Sequence, residues 1–90
     1  MNSTDHLAAF NEGIHRCRLI KNDLRETLTE YYPEKVRTLN ATYIATAKQI
    51  ISHGEEYLSM IDTCTDEDIR TAITVDNYRA MLCSLPKKDC

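Results

Sequence analysis

An all-α fold is predicted by three features of the 90-residue sequence. Apolar residues recur at spacings of three, four and seven through most of the chain, the period that places them on one side of a helix. Only two Gly and two Pro interrupt it, which leaves few loops. Charged residues make up 28% and apolar residues 42%, a balance that excludes both a disordered chain and a membrane span. A chain of this length holds one core, so residues 1–90 are expected to form a single helical domain.

The first helix is expected over residues 5–31. Leu7, Phe10, Ile14, Cys17, Leu24, Leu28 and Tyr31 fall on its a and d positions, with Lys21 as the one interruption. Ser3 or Thr4 is expected to cap it, Asp5 suits its positive end, and Pro33 stops it by forcing the preceding residue out of the α region.

Pro33 is tolerated as the first residue of a second helix over 34–63. Val36, Tyr43, Ile50, Tyr57 and Cys64 recur at steps of seven, Ile44, Ile51 and Leu58 form a parallel stripe, and Leu39, Ala47, Met60 and Ile61 widen the arc. So broad an arc touches two neighbours, which makes this helix the central element. Gly54, within it, is either a close-packing point or a break.

Thr65-Asp66-Glu67-Asp68 has the form of a capping box, with Asp in place of the usual Glu or Gln. Downstream, Ile69 and Tyr78 point about 180° apart on one helical wheel. One straight helix does not bury both, so two short helices are expected, over 66–73 and 76–85, separated at Thr74–Asp76 and closed by Pro86, with Lys87 and Lys88 complementing the negative end. The predicted architecture is an elongated antiparallel hairpin with these two helices packed across it.

Length adds a constraint. A globule of this size is about 31 Å across, whereas each long helix spans about 40 Å. The helices therefore break, at Asn22-Asp23 or His53-Gly54, or the molecule is a rod, the reading preferred here.

The amino-terminal sequence carries no secretory or transit signal, which makes a cytoplasmic location the expectation. Cys17, Cys64 and Cys83 lie on apolar stripes and are expected to be buried small hydrophobes, while Cys90 is expected to be reactive. The net charge of -3 disfavours general binding to nucleic acid or an anionic membrane.

Little chemistry emerges from motifs. Glu12-x-x-His15 matches the pair used in di-iron bundles, with His53 and Glu56 expected at a similar level on the second helix, but Glu12, His15 and Glu56 point outward. Neither a Cys-x-x-Cys nor a His pair at ligand spacing suggests zinc. His15 and Cys17 lie about 200° apart on one helix, and no Gly-rich loop offers an oxyanion hole or phosphate cradle. No enzyme, metal or cofactor is expected.

Protein interaction remains. The chain reads as a non-enzymatic adaptor, chaperone or inhibitor of a larger protein complex. Candidate contact residues are His15, Arg18, Asn22 and Arg25, which form a basic stripe on the first helix, together with Lys21 in the seam and Tyr32 at the turn. Asn40 interrupts the second seam as Lys21 does the first, the kind of polar position that specifies register or oligomer state. The expected partner is another protein with an acidic or mixed surface, or a second copy in a homodimer whose two hairpins complete a four-helix core. The alternative is a small DNA-binding regulator, reading DNA through the basic stripe or a C-terminal helix-turn-helix. Carboxylates at Asp66, Glu67, Asp68 and Asp76 oppose that second mode by repelling phosphates.

Overall fold

The computed structural model of the chain describes residues 2–85, which form three antiparallel helices. These are α1 (Ser3–Glu26), α2 (Pro33–Met60) and α3 (Asp66–Ser84). The molecule is a rod of 50 × 27 × 23 Å with a radius of gyration of 14.9 Å, against about 12 Å for a compact chain of this length. Both long helices run unbroken through Asn22-Asp23 and His53-Gly54.

The cap of α1 is Asn2, one residue before the expected Ser3 or Thr4. Its side chain accepts the Asp5 backbone N–H at 2.9 Å while the Asp5 carboxylate faces the Asn2 N–H. The helix ends at Glu26, five residues short of expectation. Thr27 turns extended, its hydroxyl donating to the Asp23 carbonyl, and the Tyr31 and Tyr32 N–H groups close a turn on the Leu28 carbonyl. Pro33 needs a non-helical residue before it, so the reversal occupies Thr27–Tyr32. Leu28 and Tyr31, in phase with the buried stripe, are thereby lifted off it, and Tyr31 is 70% exposed.

Pro33 opens α2 as predicted, and α2 is the central helix, packed against α1 on one side and α3 on the other. The backbones of α1 and α3 do not approach each other, so side chains bridge them. Phe10, Cys17, Ile50 and Val75 form the core, with Leu7, Ile14, Tyr43, Ile51 and Tyr78 packed around it. Both glycines are close-packing points. A Cβ on Gly13 would lie 2.6 Å from Ile50 Cγ1, and one on Gly54 would collide with Val75 and sit 3.0 Å from the Phe10 ring. Gly54 is where all three helices converge.

The capping box at Thr65 forms as the sequence predicts, but the two short C-terminal helices are one continuous helix. The conflict between Ile69 and Tyr78 is resolved by leaving Ile69 and Ile73 in solvent, at 49% and 54% exposure. The inward stripe of α3 is Asp68, Thr71, Val75, Tyr78 and Leu82, a regular three-four repeat in which two members are polar. Counting apolar residues alone misses it. Asp68 is 5% exposed because its charge is met: Tyr57 Oη donates to Oδ1 at 2.5 Å, and the Thr65 backbone N–H and hydroxyl donate to Oδ2. The Thr65 N–H, then the Tyr57 hydroxyl, hold the carboxyl below its ordinary range. The same bond to Asp68 pushes the Tyr57 phenol up.

Of the three cysteines expected inside, only Cys17 is buried; Cys64 and Cys83 are exposed. Burial pushes the Cys17 thiol up, which makes it inert rather than nucleophilic. The expectations for Pro86, Lys87, Lys88 and Cys90 lie outside the described residues. No helix among the described residues is long and apolar enough to cross a membrane.

Candidate functional site

Helix lengths place the site. By rise per residue, α2 with 28 residues is about 42 Å long and α3 with 19 about 28 Å, so α3 leaves roughly 14 Å of α2 uncovered toward its N-terminus. There α1 and α3 flank an open groove of about 790 Å³ among the described residues. Leu24 forms one wall, Met81 and Leu85 the other, and Ala41, Tyr43 and Ile44 the floor. Among the described residues three polar side chains complete the lining, Lys21 from α1 and Arg37 and Asn40 from α2; two are cations and none is an acid.

The cations are free to engage a partner. Lys21 has no carboxylate within ion-pair distance among the described residues, and Arg37 pairs only with Glu34, at 3.0 Å on an exposed turn. Such a pair is worth well under about 1 kcal/mol and exchanges readily. The inner end of the groove is firmer. Tyr43 and Tyr78 pack against the core around Cys17 there, and the Cys17 thiol faces the Tyr43 carbonyl at 4.0 Å. Burial, reinforced by Cys17 and Tyr43, pushes the Tyr78 phenol up to about 12, while the Arg18 guanidinium nearby acts in the opposite direction. Leu28, Tyr31 and Tyr32, all exposed, stand on the turn that joins α1 to α2.

The candidate contact residues divide between the groove and the outside of α1. Lys21 lines the groove, Arg18 lies toward Tyr78 at its inner end, and Tyr32 caps α2 at the turn. His15, Asn22 and Arg25 are exposed on α1 and do not line it. Asn40, flagged only as a seam interruption, is a lining residue beside Lys21's helix. The two polar breaks in the two seams thus mark one place, where the seam opens. The apolar floor was not singled out from sequence, although the signal was present: the stripe of α2 continues through Tyr43 and Ile44 opposite a third segment expected to end by residue 85.

Other arrangements do not assemble. Glu12 pairs with Arg16 on the outside of α1, and His15 is exposed. His53 faces His6, nine residues or about 13 Å along α1 from His15, so the proposed level of His15 and His53 is incorrect. No group of three or more metal-ligating side chains occurs among the described residues. The continuity of α3 removes the second helix that a C-terminal helix-turn-helix requires. The described residues thus form a three-helix rod with one open end. No protein-family model matches it, and neither a curated protein nor a solved structure does.

Proposed function

We propose that this protein is a non-enzymatic binding module whose open groove receives an amphipathic helix of a partner protein, with acidic residues flanking that helix's apolar stripe. The observation that carries the reading is the composition of the groove: an apolar floor and walls from three helices, with Lys21 and Arg37 as the only charged members among the described residues. Helix-in-groove recognition has this anatomy, apolar anchors at i, i+3, i+4 and i+7 supplying affinity and rim charges supplying orientation. Such a module acts as an adaptor, chaperone or inhibitor according to what it occludes on the partner.

The test uses two stapled helical peptides that share one leucine stripe, one flanked by Glu and the other by Lys. The Glu peptide is expected to bind one per chain and to lose affinity when Met81 or Ile44 is changed to Glu, with the helical circular dichroism unchanged. Equal binding of both peptides, or indifference to these substitutions, overturns the reading. Sedimentation equilibrium in reducing buffer guards the occupant: a mass rising with concentration above the monomer's 10.4 kDa, and abolished by Met81→Glu, would assign the groove to a second copy instead.

A further inference from the structure

At the end of the rod opposite the groove, His6 of α1 and His53 of α2 bring their Nδ1 atoms to 3.1 Å, with both rings half-buried. The ring centroids are 5.3 Å apart and the planes inclined at 41°, so the rings meet by their nitrogen edges rather than stacking. Two nitrogens bound to one zinc-sized ion at about 2.0–2.1 Å, with an angle between square and tetrahedral, lie about 2.8–3.4 Å apart. The observed separation falls inside that interval.

We propose that His6 and His53 form a two-histidine chelate for a borderline divalent transition-metal ion of the zinc, nickel or copper class. Imidazole nitrogen suits these ions and not magnesium or calcium, which prefer oxygen. In the metal-free chain one Nδ1–H donates to the other Nδ1; the ion replaces that hydrogen, both rings taking the tautomer with the proton on Nε2. The site is held ready by its neighbours. One turn further along α1, Phe10 packs against Gly54, the residue after His53, and Gly13 packs on Ile50, one turn before it. These close contacts fix the register of α1 on α2 and hence the spacing of the two nitrogens. Water completes the coordination, because no third ligating side chain joins the pair among the described residues. The ion therefore exchanges readily, clamps the start of α1 to the end of α2, and keeps open positions for a ligand from another molecule. Chain spacing gave no hint of this, since the ligands are 47 residues apart.

The probe is Ni²⁺, titrated calorimetrically into the full chain carrying Cys64→Ser, Cys83→Ser and Cys90→Ser so that thiols do not compete. One Ni²⁺ per chain is expected, with a melting temperature that rises with nickel concentration. His6→Gln and His53→Gln should each weaken binding at least about 100-fold, because the remaining imidazole loses the effective concentration of its partner. His15→Gln should leave it unchanged. A second measurement needs no variant of the pair: Ni²⁺ should protect His6 and His53, but not His15, from diethyl pyrocarbonate. Absence of saturable binding, binding that survives either substitution in a folded variant, one ion per two chains, or no selective protection would each overturn the proposal.

Discussion

Replacing Gly54 by Ala tests the convergence of the three helices directly. In an exposed helix the substitution stabilises by about 1 kcal/mol, because alanine gives up less backbone entropy. Here the new methyl would collide with Val75 and press on the Phe10 ring, whose near edge is 3.0 Å away. Ordinary carbon contacts begin near about 3.5 Å, so α3 or the ring has to retreat. Both side chains are almost wholly enclosed, Val75 at 2% and Phe10 at 3% exposure, and Val75 is β-branched and stiff, so little of the strain dissipates by rotation. Overpacking of this kind costs about 1–3 kcal/mol. Two enclosed neighbours place it at the upper end, and subtracting the propensity gain leaves a net loss of about 2 kcal/mol. At about 4–8 °C per kcal/mol for a domain of this size, the melting temperature should fall by about 8–16 °C. Urea and thermal unfolding followed by helical circular dichroism measure both quantities. Adding Val75→Ala should relieve the collision, so the double variant loses less than the sum of the single losses. A Gly54→Ala protein more stable than its parent would refute the packing described for α3.

Three further outcomes follow from the buried polar groups. Asp68, held below its ordinary range chiefly by the Thr65 N–H, binds its proton later in the folded state than in the unfolded one. Its contribution is therefore complete above about pH 4 and is lost as pH falls through the lowered value; in acid titrations of stability, Asp68→Asn should flatten that limb. Tyr78 has the opposite sign: with its phenol raised to about 12 against about 10 unfolded, stability should fall from pH 10 upward through 12. Tyrosinate absorbance should show several phenols titrating above the ordinary value, of which Tyr78→Phe removes the last. Iodoacetamide labelling with peptide mapping should modify Cys64 and Cys83 quickly and Cys17 only on unfolding, since Cys17 is buried with its thiol pushed up.

Much of the architecture was legible because helix signals are local. Pro33 marked the start of α2, Thr65 and Asp68 the start of α3, and the wide arc of α2 its central position. The misreadings arose where tertiary context overrode pattern. The helix-period phase extended through Leu28 and Tyr31, but the chain has to reverse before Pro33, and that requirement took them off α1. In α3, apolar counting pointed to a break, because Asp68 and Thr71 complete the inward stripe only when Tyr57 and Thr65 satisfy the carboxylate. Cys64 was placed inside by its step of seven from Tyr57, yet α2 ends at Met60 and the stripe ends with it. Of the groove, Lys21 and Asn40 stand out in the sequence as polar breaks in two apolar seams, whereas Arg18, from the basic stripe, and Tyr32, at the turn, do not line it. The apolar floor was indistinguishable from core until the shorter reach of α3 left it uncovered.

The central claim, that Lys21 and Arg37 orient an acid-flanked helix over an apolar floor, is tested most directly by reversing the rim. In the Lys21→Glu, Arg37→Glu protein, binding of the Glu-flanked and Lys-flanked peptides should be measured side by side at low and physiological salt. The account predicts an exchange of preference, with the Lys peptide now bound and the Glu peptide rejected, and with the difference narrowing as salt screens the rim. Retention of the parent's preference after both charges are reversed would contradict it.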